Sequence, residues 1–355
     1  MTDPRMMDRR VAHPRATDRR MTDRRTKPRR LQSAVRAIGR IAIILVVALA
    51  LFAPWIAPHA SSTRFPELLN APPTRIHAAG VADTASGFFI RPWRRVSQLE
   101  QRYEPDMSRE VQLSWLSGGR LVQSRDDARA PLLLLGADSF GRDVLSRLLY
   151  GGRVSLALAL VAALGALLLG SIGGAIAGYF GGGSDRVIMG TSDFVLMLPA
   201  MYVALVLRSV LPMVLSPLEV FGLLAAIFAV VGAPLVARNI RAVIRRERAL
   251  DYIVAAESLG ASRVHVLTRH LLPAARGVIG PQLTLLVPGF IVSEATLSLV
   301  GFGFPDSTAT WGTMLVEAAS YRALTDFPWL LSPAIAMCLV VLALNLLTDR
   351  RELSR

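Results

Sequence analysis

Six apolar runs divide the chain, at residues 41–58, 154–180, 187–211, 220–237, 278–301 and 329–347. A helix of about 20 apolar residues crosses the hydrocarbon core of a bilayer, and each run reaches about that length once the flanking residues of the shorter ones are counted. The pattern predicts an all-α polytopic membrane protein with six spans. Between the fourth and fifth runs the period changes. Over 251–273, Tyr252, Ala255, Ala256 and Leu259 fall at helical spacing and form a face of small residues that a partner can approach closely. Gly260 is expected to stop that helix, because glycine alone takes a left-handed cap without steric cost. A second helical run, 263–272, is expected to end at Pro273.

The remaining segments follow the same logic. Residues 1–30 repeat variants of Thr-Asp-Arg-Arg with almost no apolar positions and are expected to be a disordered basic tail. Within them, Met21 offers a second candidate start. Residues 31–58 then carry the first transmembrane anchor. Residues 59–153 turn polar, with enough aromatic and aliphatic positions for a small folded unit. Near the end of that unit, Val144, Leu145, Leu148 and Leu149 oppose Arg142, Asp143, Ser146 and Arg147, the pattern of an amphipathic helix at the membrane interface. Residues 154–349 form a five-span core containing the polar loop 238–276, and 350–355 close the chain.

Composition fixes class and orientation. Of 355 residues 52% are hydrophobic, and the mean hydropathy is +0.44, values that mark a membrane protein. The net charge of +14 is concentrated in the first forty residues and in loop 238–276, where Arg238, Arg241, Arg245, Arg246, Arg248, Arg263, Arg269 and Arg276 face Glu247, Asp251 and Glu257. Short loops rich in arginine stay inside, so both termini and this loop are expected to be cytoplasmic. The basic tail acts as that topology anchor or as a contact with anionic lipids. Residues 211–219 lack Lys and Arg, and 301–328 carry Asp306, Glu317 and Asp326 against Arg322, as outer loops should.

Candidate chemistry is sparse. The only lysine is Lys27, outside any Gly-Lys-Ser/Thr pattern, which excludes a phosphate-binding loop for ATP. Cys338 stands alone in an apolar run and reads as a buried small hydrophobe. His265 and His270, five apart, lack the spacing of a metal pair. Asp193 is expected to pair with the nearby Arg186, and Asn345 is a structural polar residue. Run 278–301 is broken by Pro281 and Pro288 and carries Ser293, Glu294, Thr296 and Ser298, a pattern that suits a helix facing protein or a water-filled path. Glu294 is either a gate or pathway group or an interhelical hydrogen-bonding strut.

Several of these segments resemble one family. The Ala-Ala pair at 255–256, Gly260 four residues on and the Leu-Pro at 272–273 resemble the coupling loop of ABC-importer permeases, although Val254 stands where the family has glutamate and Glu257 follows one turn later. The segment 136–150 (GADSFGRDVLSRLLY), the AGYFGG and DRVIM pieces, SEATLSLVGFG, WGTML and LNLLTD resemble C-type subunits of dipeptide and oligopeptide importers in order and spacing. The resemblance implies a type I ABC-importer transmembrane fold. It implies that Tyr252, Ala255, Ala256, Glu257, Leu259, Gly260, Ala261 and Pro273 form the surface that docks on an ATPase, and that the chain has no catalytic residue or cofactor of its own. ATP and Mg belong to partners: two ABC ATPase subunits, beside a homologous B-type permease and an extracytoplasmic solute-binding protein. The 59–153 loop would then contact the binding protein, shape the external gate or stand as a plain surface insertion. The cargo would be peptides, nickel complexes or another peptide-like solute.

Other classes fit less. A self-contained secondary transporter would use broken helices near the midplane, which the fifth run allows, but would leave 251–273 unexplained. An intramembrane hydrolase needs a nucleophile and base within the spans, where no histidine lies. Six apolar runs exclude an electrostatic nucleic-acid binder.

Overall fold

The computed structural model describes residues 19–78, 87–97, 100–197, 200–210 and 215–348. The chain enters through α1 (Arg19–Leu51) and a short α2 (Ala53–Ile56), then forms β1 (Ile76–Ala78), β2 (Phe88–Ile90), β3 (Trp93–Ser97), β4 (Arg102–Pro105), β5 (Val111–Trp115) and β6 (Val122–Ser124). The helical part follows: α3 (Val144–Phe180), α4 (Gly182–Met197), α5 (Ala200–Ser209), α6 (Pro217–Arg248), α7 (Asp251–Ser258) and α8 (Arg263–Val266). After a π-helical turn at Leu267–Leu271 come α9 (Leu272–Ala274), α10 (Arg276–Leu299), α11 (Trp311–Ala318), α12 (Tyr321–Asp326), a 3-10 turn at Pro328–Leu331 and α13 (Ser332–Thr348).

The core is the crossing of α3 and α6. Gly170, Gly174 and Gly178 line one stripe of α3, and a Cβ on Gly174 would stand 2.4 Å from the Ala237 carbonyl oxygen. Only glycine lets two backbones meet so closely, and in lipid such packing replaces hydrophobic drive as the source of helix association. Leu158, Ala162 and Ala166 of α3, Leu224, Phe228 and Ile240 of α6, and Phe290 and Ile291 of α10 fill the seam. The rings of Phe228 and Phe290 stack at 5.3 Å. Large aliphatic residues cover the outside of the same helices, among them Leu164 and Leu168 of α3 and Ile335, Leu339 and Leu342 of α13. An apolar exterior of this kind suits a lipid solvent.

Among the described residues four helices are long and apolar enough to cross a membrane: Val144–Phe180, Pro217–Arg248, Arg276–Leu299 and Pro328–Leu347. The first and third expected spans are not among them. In α1 the apolar second half follows a basic first half, and the third run is shared between α4 and α5. Pro199, between α4 and α5, lies outside the described residues, as do residues 1–18 of the tail and the closing 349–355.

Several expectations change. The chain is not all-α: the 59–153 loop holds a four-stranded antiparallel sheet in the order β1-β2-β5-β6 and a two-stranded β3-β4 hairpin. Its strands are short, with alternating burial over few residues, so their period is lost beside the long apolar runs. Ile90, Val111, Leu113, Val122, Ala130 and Leu132 form its small core. Residues 19–30, read as disordered, are the first turns of α1, since arginine propagates a helix well. The amphipathic segment is the start of α3 itself, and its polar side faces protein, with Arg142, Asp143, Ser146 and Arg147 all buried. Helix α10 runs unbroken through Pro281 and Pro288; the hydroxyls of Thr284, Ser293 and Thr296 bond the carbonyls of Pro281, Gly289 and Val292 one turn back, not those of Gly277 and Thr284 that the prolines leave without a donor. Pro273 does not end the second helical run, which continues without a break from α8 through the π turn into α9 (Leu272–Ala274). Cys338 is exposed on the outer apolar side of α13, not buried. Asp193 pairs with Arg238 of α6 in place of Arg186.

Candidate functional site

Helix α7 and its cap form a knob. Ile253 is fully buried beneath it, together with Val266 and Leu271 of the following turns, which seats the pair of short helices on the bundle. Tyr252, Val254 and Ala255 lie exposed on the other side, and Leu259 at the cap is 89% exposed. Gly260 adopts φ +88°, with its N–H donating to the Glu257 carbonyl (3.0 Å) and the Ala261 N–H donating to the Ala256 carbonyl (3.0 Å). This pair of bonds is the Schellman closure, which satisfies the last carbonyls of α7 and turns the chain sharply. No atom lies within 4 Å of the place a Gly260 Cβ would occupy, so backbone conformation and not space selects glycine there. Ser262 then caps α8, its hydroxyl accepting from the His265 N–H at 3.3 Å.

The knob is tied to the bundle by side chains. The Tyr179 hydroxyl at the end of α3 donates to the Glu257 carboxylate at 2.9 Å. Arg248, the last residue of α6, donates to the Tyr179 carbonyl and lies over its ring at 4.9 Å. The Tyr252 hydroxyl donates to Glu247 at 3.1 Å. The ring of His270 lies edge-on between Tyr252 (6.1 Å) and His265 (5.9 Å). Upstream, Arg241 and Arg245 pair with Asp185 of α4. Part of the arginine excess is therefore committed to holding α4 on α6. Tyr179 was legible in the sequence only as part of the AGYFGG piece, and nothing in its spacing announced a partner 78 residues away.

Glu294 has a different setting. It is 1% exposed, and its carboxylate accepts from Thr310 Oγ1 (2.9 Å), Ser298 Oγ (3.0 Å) and Ser155 Oγ (3.3 Å). The Trp311 N–H donates to Ser155 (3.1 Å) and the indole Nε1 to the Leu148 carbonyl (3.0 Å). A Cβ on Gly312 would stand 2.5 Å from the carboxylate, so the WGTML segment closes directly over it. Glu294 and Ser298 thus join α10 to α3 and α11 inside the chain, whereas Ser293 and Thr296 remain half-exposed and bonded to their own helix. Asn345 is exposed on α13.

Two buried charge clusters sit where α3 begins. In one, Asp138 and Glu317 share Arg142 and Arg147: Arg142 reaches Asp138 (2.7 Å) and Glu317 (2.6 Å), and Arg147 reaches Glu317 at 2.9 Å as well as Asp138. Buried charges persist only when paired in this way. In the other, His59 lies between Asp127 (2.9 Å) and Asp143 (3.3 Å), and its backbone N–H donates to Ser146. Burial by itself lowers the imidazole pKa, but hydrogen bonds and charge from the two aspartates outweigh it and raise the value to about 9. His59 is therefore charged at neutral pH, and it links the exit of the first apolar run, the β-sheet unit and the N-cap of α3. The sequence set Arg142, Asp143, Ser146 and Arg147 on one polar side but gave no sign of their partners Asp127, Glu317 and His59. Among the described residues there is no cluster of side chains able to hold a metal ion.

Comparisons with the sequences of known proteins give one family. Residues 150–350 match the family model described as the binding-protein-dependent transport system inner membrane component, and residues 35–73 match the N-terminal transmembrane domain of oligopeptide transport permease C. The chain is 30% identical over 314 residues to the di/tripeptide transport system permease protein DppC of Pseudomonas aeruginosa, covering 88% of this chain and 84% of that one. It is 35% identical over 216 residues to a Brucella ovis protein provisionally named a peptide permease, covering 60% of this chain and 69% of that one. A solved inward-facing structure of the MetNI methionine ABC transporter is 16% identical, with a TM-score of 0.45, over 57% of this chain and 93% of that one.

Proposed function

Since the chain belongs to the family of binding-protein-dependent transport system inner membrane components, we propose that it is the C-type permease subunit of an ATP-driven peptide importer of a bacterial inner membrane. In this reading the chain crosses the bilayer six times with both ends in the cytoplasm. A homologous B-type permease completes the pathway, two ABC ATPases bind from inside, and a solute-binding protein delivers cargo from outside. ATP and Mg act on the partner subunits. The names of the relatives favour peptide over nickel complexes as cargo.

The observation that carries the reading is the knob itself: an exposed small and apolar face above a buried Ile253, with a side-chain tether to the end of α3. A force applied to Tyr252, Ala255 or Leu259 passes through Glu257 and Tyr179 to α3, and α3 is locked to α6 along its glycine stripe. The chain would convert ATPase motion into alternating access without chemistry of its own. The face of α10 bearing Ser293 and Thr296 is the part offered to the pathway, with Glu294 as a strut behind it.

Gly260→Val tests the reading. A β-branched residue is strongly disfavoured at φ +88°, at about 1–2 kcal/mol or more, so the knob would lose its turn while the spans insert unchanged. Reconstituted with its partners, the variant should lose substrate-stimulated ATP hydrolysis. Undiminished stimulation at normal membrane insertion would exclude the docking role.

A further inference from the structure

The β5–β6 hairpin carries an apolar tip that the transport reading does not use. Trp115 is 51% exposed, Leu116 81% and Leu121 44%, and Phe88 (47%) packs edge-on against Trp115 at 5.7 Å. Leu116 holds φ +51°, a conformation that costs a side-chain-bearing residue about 1 kcal/mol and that Gly or Asn would take without strain. An exposed leucine in a strained position stabilises neither the sheet nor its core, so its apolar surface calls for an occupant.

The structure says where this tip is. The Leu121 N–H donates to the Trp55 carbonyl at 2.6 Å, and the Arg120 guanidinium donates to the Pro58 carbonyl. Trp55 and Pro58 lie at the outer end of the first apolar run, so the hairpin tip is hydrogen-bonded to the point at which the chain leaves the bilayer. Trp55 (60% exposed) stacks on Phe52 (46% exposed) at 5.3 Å, which extends the same apolar surface from the helix end to the hairpin. Indole rings favour the headgroup level, where an apolar body and a polar N–H are both accommodated.

We propose that the β5–β6 hairpin tip is an interfacial anchor, with Trp115, Leu116 and Leu121 immersed in the lipid headgroup region beside Trp55 and Phe52. The anchor rests on the reading that the first apolar run crosses the membrane. Its partner is a phospholipid surface. It holds the β-sheet unit flat against the bilayer next to α1 and fixes how far that unit can swing when the helices move. Met107, 66% exposed beyond the far end of β5, marks the side turned to water.

The test uses the full chain in lipid nanodiscs with its only cysteine removed (Cys338→Ser) and single cysteines introduced as Phe52→Cys, Leu116→Cys and Met107→Cys. Each carries a nitroxide, and power saturation compares collisions with oxygen, which partitions into lipid, and with a nickel chelate, which stays in water. The expected oxygen-to-nickel ratio at Leu116 is several-fold above that at Met107 and close to that at Phe52. A nickel-accessible label at Leu116 with a lipid-embedded Phe52 overturns the anchor but leaves the crossing intact. A label at Leu116 shielded from both reagents places a protein partner on the tip and overturns the lipid assignment. A nickel-accessible Phe52 overturns the crossing and the anchor together. Leu121→Cys repeats the measurement should Leu116→Cys misfold.

Discussion

His59 gives a quantitative handle on how the outer unit is joined to the helices. Its pKa of about 9 in the folded chain compares with 6.5 unperturbed. At about 1.4 kcal/mol per pH unit the difference is worth about 3 kcal/mol, and because Asp127 is 36% exposed its share is screened, leaving about 2–3 kcal/mol. The folded state holds its proton more tightly than the unfolded state, so stability must fall as pH rises. The contribution is complete below pH 6.5, declines between 6.5 and 9, and is gone once pH passes the folded value. The assay is the thermal unfolding midpoint of the purified chain between pH 6 and 10, beside His59→Gln. The wild-type chain should lose about 3–4 °C more than the variant across that range, and Asp127→Asn should fall between them. Parallel pH profiles for the wild-type chain and His59→Gln would refute the charged clamp.

Two further outcomes follow from packing and one cluster of hydrogen bonds. Gly174→Ala puts a Cβ 2.4 Å from the Ala237 carbonyl oxygen and should cost about 1–3 kcal/mol, whereas Gly173→Ala, whose nearest neighbour would be Ile188 Cγ2 at 3.6 Å, should be neutral or slightly stabilising. Equal midpoints for the two variants would contradict the close α3–α6 crossing. Glu294→Ala removes the acceptor of three hydroxyls and should cost about 3 kcal/mol. Glu294→Gln should retain most stability and uptake if the residue is a strut; loss of uptake at an unchanged midpoint would make it a pathway group instead.

How far the sequence could reach depended on the range of each interaction. The apolar runs, the Gly260 cap and the return of Thr284, Ser293 and Thr296 hydroxyls to their own helix are set within a few residues. Such features follow from local chemistry: hydrophobic length, a left-handed turn open to glycine, and a hydroxyl one turn from a backbone carbonyl. The family motifs were legible for the same reason, since they are short and ordered along the chain.

What the tertiary structure alone decided joins distant residues. Tyr179 meets Glu257 and Arg142 meets Glu317 because α3 passes under the knob at one end and under α11 at the other. Asp193 found Arg238 rather than its neighbour Arg186 because α4 packs along α6. The β-sheet unit escaped notice because strands of three to five residues carry too few alternations to outweigh the surrounding polarity. The arginines beginning α3 looked like a solvated face because charge predicts water when partners are unseen. Amino-acid order determined which stretches are apolar enough to suit a membrane and where the chain turns; only the folded arrangement determined which charges neutralise one another, since that pairing follows from proximity in space and not along the chain.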